Sequence, residues 1–106
     1  MGNLNELLLE KCKEGNLREV LALLDRGADI NARGEYQDTP LHVACRCGKI
    51  EVILYLLDKG ADIHAKNKDQ KKPNEFIGDS NIKSLFDEFV DDMGPAGTNS
   101  LLRDYL

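Results

Sequence analysis

The sequence has no excess of positive charge and no long apolar run. Its 106 residues include 14 lysines and arginines against 19 acidic residues, a formal net charge of −5. Because nucleic-acid-binding proteins normally carry a basic face, nucleic acid is not an expected partner. The longest apolar run, residues 52–57, is far shorter than the roughly 20 residues of a membrane-spanning helix, so a membrane is not expected either.

Cysteine is scarce, and its pattern is not that of a disulfide framework. Three cysteines, an odd number without regular spacing, indicate a protein of a reducing compartment. No basic segment followed by an apolar stretch marks a secretory signal at the start of the sequence. We therefore expect a cytoplasmic location, with the nucleus left open.

Motifs of catalysis and of cofactor binding are missing as well. No serine lies in a nucleophile elbow, and the glycine-rich residues 94–97 lack the Lys-Ser/Thr of a phosphate-binding loop. The side chains of Cys45 and Cys47 diverge if they lie on a helix, so they do not hold one metal ion. We expect no enzyme, no cofactor and no metal.

A segment of the chain repeats with a period of 33 residues. Residues 27–33 (GADINAR) recur as residues 60–66 (GADIHAK), and 11 of the 22 residues from 12 to 33 are identical to their counterparts from 45 to 66. Such periodicity indicates that one supersecondary unit is used more than once.

The pattern within one unit predicts two short helices. Thr39 is expected to cap the first helix, with Pro40 at its first position and Gly48 at its end. Gly60 is expected to end the second. The residues that form the two apolar stripes share three- and four-residue spacing and are Leu41, Ala44, Cys45, Ile50, Ile53, Leu54 and Leu57. Helices of this length are unstable alone, so each unit must pack against the next.

Residues 39–44 (TPLHVA), Gly48, and the GADI of residues 60–63 together resemble the ankyrin repeat. The resemblance implies an all-α ankyrin-repeat solenoid of stacked antiparallel helix pairs with short projecting loops. Predicted repeats span residues 4–33, 34–66 and 67–90 within a domain of residues 1–93. The first repeat lacks the loop and the last is degenerate, which is typical of caps. Residues 94–106 are expected to be a linker and a short C-terminal tail.

Two further expectations concern the loops and His42, the histidine of the TPLHVA segment. Gln37 and Gln70 stand where the family has glycine. A positive φ at these two residues would cost about 1 kcal/mol each, so we expect the loop to rearrange instead, with Gly34 providing the turn. For His42 the resemblance implies hydrogen bonds to neighbouring backbone rather than catalysis. Cys12 and Cys45 are expected to be packed thiols, and Cys47 an exposed one.

The resemblance implies that a partner binds to the loop tips and to the exposed surface of the first helices. We expect Tyr36 to make the dominant contact, because aromatic residues dominate interface energetics. The expected contact residues are Glu35, Tyr36, Asp38, Arg46, Cys47, Lys68, Asp69 and Lys71. The lysines of residues 66–72 leave a second option, an acidic partner segment. The sequence around Asn31 resembles the sites at which an asparaginyl hydroxylase modifies ankyrin loops, with Asn31 as the residue that would be hydroxylated.

The expected function is that of a non-enzymatic module that binds another protein. An alternative is a structural or assembly protein that self-associates or docks through its C-terminal tail. The expected oligomeric state is accordingly a monomer or a weak self-associate.

Overall fold

The computed structural model describes residues 3–92, including the side chains of residues 3–90. Short 3₁₀ turns lie at Glu35–Gln37 and Pro73–Phe76. The α-helices are α1 (Leu4–Glu14), α2 (Leu17–Asp25), α3 (Pro40–Cys47), α4 (Ile50–Asp58) and α5 (Ser80–Asp92). Residues 3–92 contain no strand, and the predicted all-α fold is confirmed.

Two helix pairs stack side by side. Gly15 joins α1 to α2 and Gly48 joins α3 to α4, each in the left-handed conformation with φ of 75° and 67°. Helix α1 packs against both α2 and α3, while α4 packs against α3, α2 and α5. First helices therefore lie beside first helices, and second helices beside second helices, as the 33-residue period requires.

The start of α3 is the most strongly specified local feature. The hydroxyl of Thr39 accepts the backbone N–H of His42 at 3.3 Å, and the ring of His42 accepts the N–H of Thr39 at 3.1 Å. Pro40 occupies the first helical turn, where its missing N–H leaves no unsatisfied donor. The predicted cap is confirmed.

The core extends beyond the predicted stripes. Of the seven stripe residues only Ile50 is partly exposed. Val52 and Leu56 are also fully buried, although the sequence pattern did not single them out. The reason is that α4 packs against three helices, α2, α3 and α5, so more than one of its faces is covered. At the end of the stack, Phe86 and Phe89 of α5 close the core.

The predicted loop rearrangement is wrong. Gln37 and Gln70 keep the left-handed conformation with φ of 60° and 63°, and Gly34 has a φ of −107°. Both loops close in the same way, because the N–H of residue 34 donates to the carbonyl of residue 38 and that of residue 67 to residue 71. Gly34 instead lies against α1, where a Cβ would come within 2.5 Å of Cδ1 of Leu9 and the end of that side chain would have to move.

Candidate binding groove

A groove of about 800 Å³ lies between α1, the loop of residues 33–38 and α3. Its lining includes the predicted contact residues Glu35, Tyr36, Asp38, Arg46 and Cys47. Sequence reasoning missed other lining residues, among them Glu6, Leu9, Glu10, Lys13, Arg33 and Val43. A signal for one of them was present, because Lys13 lies one period before the predicted contact residue Arg46.

Tyr36 is the most exposed large apolar side chain among residues 3–90, with 62% of its surface accessible. It lies at the tip of the loop in the left-handed conformation, with φ 58° and ψ 20°. Its carbonyl accepts the backbone N–H of Lys68 at 2.7 Å, so the next loop holds its backbone. The ring therefore projects from a fixed position at the rim of the groove.

Asp38 was expected at the surface but is buried, with only 3% of the residue exposed. One carboxylate oxygen, Oδ2, accepts a hydrogen bond from Nη1 of Arg46 at 2.6 Å. The other, Oδ1, accepts one from Nδ2 of Asn67 at 2.9 Å. Both oxygens are thus engaged, and Asp38 joins the loop to α3 and to the following loop instead of facing a partner.

Asn67 is a residue that sequence reasoning missed. It is 2% exposed, and its Oδ1 accepts the backbone N–H groups of Asp69 and Lys71 at 2.9 and 3.0 Å. Asn67 stands one period after Gly34, which has no side chain, so comparison of the repeats gives no sign of this role.

Two arginines link the groove to residues that follow α4. The guanidinium of Arg46 lies 4.4 Å from the centre of the Phe76 ring, a cation–π arrangement, while it also pairs with Asp38. Nη1 of Arg33 donates to the carbonyls of Gln37 and Lys66 at 2.9 and 2.8 Å. The loops of the second and third repeats are therefore fixed to each other.

His42 is fully buried and has the expected structural role. Its Nδ1 accepts the N–H of Thr39, so its proton lies on Nε2, which donates to the carbonyl of Lys71 at 2.8 Å. Burial lowers the pKa of His42 below its ordinary value and keeps the ring neutral at pH 7. Both ring nitrogens are occupied by structural bonds.

The three cysteines differ in environment. Cys12 and Cys45 are packed thiols, as predicted, and burial raises the pKa of each to about 12. Cys47 is half-buried at the groove, not fully exposed as expected. Within residues 3–90, no three histidine, cysteine or acidic side chains are grouped closely enough to hold a metal ion.

The remaining predicted contact residues lie outside the groove. Lys68, Asp69 and Lys71 are exposed on the loop of the third repeat, and Nζ of Lys71 lies 3.9 Å from a carboxylate oxygen of Glu75. Asn31 is exposed too, and its Oδ1 accepts the N–H of Asp62 at 2.9 Å. Hydroxylation of Asn31 stays a prediction.

A family model described as ankyrin repeats (3 copies) matches residues 3–67, more than half of the chain. The chain belongs to the ankyrin-repeat family. Ankyrin repeats are generally protein–protein interaction modules and are typically non-enzymatic. The match covers both stacked helix pairs and ends at the first residue of the third loop. No curated protein matches the chain.

Some expectations reach beyond these observations. None of the helices that the structure describes is both long and apolar enough to cross a membrane. The cytoplasmic location stays a prediction. The linker and tail of residues 94–106, and with them the alternative of assembly through the tail, lie outside the described residues.

Proposed function

We propose that this ankyrin-repeat protein is a non-enzymatic module that binds a segment of another protein in the groove between α1, the loop of residues 33–38 and α3. The observation that carries the proposal is the position of Tyr36. A large aromatic side chain, 62% exposed, stands at the rim of a groove of about 800 Å³. Aromatic side chains of this kind supply much of the free energy of binding at protein interfaces.

The backbone around Tyr36 supports the same conclusion. Its left-handed conformation is unfavourable for a residue with a side chain, and such conformations persist where the surroundings hold them. Here the N–H of Lys68 and the guanidinium of Arg33 hold the carbonyls of Tyr36 and Gln37. A loop that is already ordered loses less conformational entropy when a partner binds.

The groove itself offers the surface that a peptide segment needs. Leu9 and Val43 contribute apolar area, and charged side chains of α1 and α3 surround it. Interfaces with an apolar centre and a polar rim are typical of specific protein recognition. The contact residues of this proposal are Glu35, Tyr36, Arg46 and Cys47, with Glu6, Glu10 and Lys13 of α1.

Site-specific photocrosslinking tests the proposal. A benzoylphenylalanine in place of Tyr36 is expected to crosslink a discrete partner in cells, whereas the same replacement of Leu21, an exposed apolar residue of α2, is not. With the partner identified, Tyr36→Ala should weaken its affinity about tenfold or more, and Leu21→Ala should leave it within about twofold. Equal effects of the two substitutions contradict the proposal.

A further inference from the structure

Unpaired carboxylates surround the binding groove. Glu6 and Glu10 lie one turn apart on α1, and Glu35 precedes Tyr36 in the loop. All three are exposed and line the groove. None of them forms an ion pair among residues 3–90, where the acidic partners in ion pairs are Glu14, Asp38 and Glu75.

The cations of the groove are largely engaged in holding the fold. Arg46 pairs with Asp38 and covers Phe76, so its charge is balanced inside the protein. The guanidinium of Arg33 donates to two carbonyls. Among the described residues that line the groove, Lys13 is the only cation without an ion pair or a hydrogen bond. Arg33 keeps its charge, so three unpaired carboxylates face two unpaired cations and the groove presents a small net negative charge to a partner.

Tyr36 adds a second attraction for positive charge. Tyr36 is 62% exposed, and the face of an aromatic ring attracts ammonium and guanidinium groups. Its neighbour Glu35 contributes a full negative charge at the same loop tip. A lysine or arginine side chain over this ring would gain from both groups.

Resting on the proposed function, we infer that the partner segment is basic, with lysine or arginine side chains that meet Glu6, Glu10 and Glu35 around Tyr36. Complementary charge fixes the choice of partner and speeds association, and the net charge of −5 acts in the same direction at longer range. An acidic segment in the groove would place like charges together. It could be attracted only outside the groove, by the lysines of residues 66–72.

Selection from a random peptide library displayed on phage, with the full chain as bait, tests this inference. Peptides that bind the original chain but not the Tyr36→Ala chain are kept for sequencing. We expect these peptides to be enriched in lysine and arginine and depleted in aspartate and glutamate. Their affinity should fall as the salt concentration rises from about 0.05 to 0.5 M, because exposed charges are then screened.

A matched pair of variants separates the groove from the overall charge. The combined change Glu6→Gln, Glu10→Gln and Glu35→Gln is expected to weaken these peptides about tenfold or more. The control is Glu19→Gln, Glu51→Gln and Glu88→Gln, which removes equal charge from exposed positions of α2, α4 and α5 outside the groove lining. Peptide affinity for the control should stay within about twofold of the original.

The outcomes distinguish this inference from the function on which it rests. Enrichment of acidic peptides, or equal weakening by the two triple variants, overturns the basic partner but leaves a Tyr36-dependent groove in place. If no selected peptide depends on Tyr36, the proposed function fails as well.

Discussion

The side-chain amide of Asn67 donates a 2.9 Å hydrogen bond to the carboxylate of Asp38, and both residues are buried. This bond joins the loop of the third repeat to the end of the loop that carries Tyr36. The third repeat has only a 3₁₀ turn at Pro73–Phe76 in place of a first helix, yet its loop holds the preceding one. Support for the groove therefore comes from the next repeat along the chain.

The first prediction concerns this bond. Asn67→Ala leaves Oδ1 of Asp38 and the N–H groups of Asp69 and Lys71 without a side-chain partner, which should lower the free energy of unfolding by about 1–3 kcal/mol. Urea denaturation measures the change. The control is Asn81→Ala, at an exposed position of α5, which should change stability by no more than about 0.5 kcal/mol. Equal losses in the two variants would refute the bracing role.

The second prediction concerns pH. The pKa of His42 is lower in the folded protein than its ordinary value of about 6.5, so the unfolded chain binds the proton more readily. The stability from neutral His42 is complete above about pH 6.5 and is lost progressively as the pH falls below it, by at most about 1.4 kcal/mol per pH unit. Urea denaturation between about pH 7 and 5.5 measures the slope.

An NMR titration assigns this pH dependence. The substitution His64→Gln leaves His42 as the one histidine of the chain, so its ring signals are unambiguous. In an NMR titration the ring protons of His42 should shift at lower pH than those of a histidine in the urea-unfolded chain. A titration of His42 at or above the unfolded value contradicts the prediction.

The third prediction concerns the left-handed loop residues. Glycine adopts a positive φ without steric cost, so Gln37→Gly should raise the free energy of unfolding by about 0.5 kcal/mol. This value is the relieved strain less the cost of the greater conformational freedom that glycine gives the unfolded chain. Glu35→Gly, two residues earlier and without a positive φ, should have the opposite sign. Thermal unfolding of the two variants provides the comparison, and a destabilised Gln37→Gly would show that the glutamine conformation carries no strain.

The fourth prediction concerns the close packing of the loop on α1. Gly34→Ala places a Cβ 2.5 Å from Cδ1 of Leu9, so the end of that half-buried side chain must move and the protein should lose about 0.5–1.5 kcal/mol of stability. In a Leu9→Ala background the added methyl has space, and the same substitution should cost less than about 0.5 kcal/mol. A double-mutant cycle by urea denaturation measures the coupling, and additive effects argue against the contact.

The fifth prediction concerns the thiols. With iodoacetamide at neutral pH, the folded protein should gain one adduct, at Cys47, because Cys12 and Cys45 are buried and burial raises the pKa of each to about 12. Mass spectrometry in urea should show adducts at all three. Cys47→Ser should remain unmodified when folded, and early modification of Cys12 or Cys45 contradicts the packing described.

Local features of the fold were predictable from the sequence. Thr39, Pro40 and Gly48 mark the ends of α3 through the chemistry of capping, which depends on adjacent residues only. The groove was predictable in part, since the resemblance to ankyrin repeats implied a binding surface at the loop tip and on the first helix, where Tyr36 and Arg46 lie.

Other features depend on contacts between distant residues and could not be found in this way. The burial of Asp38 requires a donor 29 residues later, at Asn67, where the repeat pattern offers no counterpart. Gln37 adopts a left-handed conformation that favours glycine. Hydrogen bonds from Arg33 to the carbonyl of Gln37 and from Lys68 to that of Tyr36 offset the steric cost. Backbone propensity depends on a residue and its neighbours in sequence, whereas the conformations of these residues depend on contacts with residues that are distant in sequence.

Each loop of this protein depends on the chain that follows it. A fragment that stops before residue 67 would include the sequence of α1 to α4 but lack the amide that holds Asp38, the N–H that holds the carbonyl of Tyr36 and the phenylalanines that close the core. For anyone who trims or grafts this protein, residues 67–92 thus support the proposed groove, although its lining ends at Cys47.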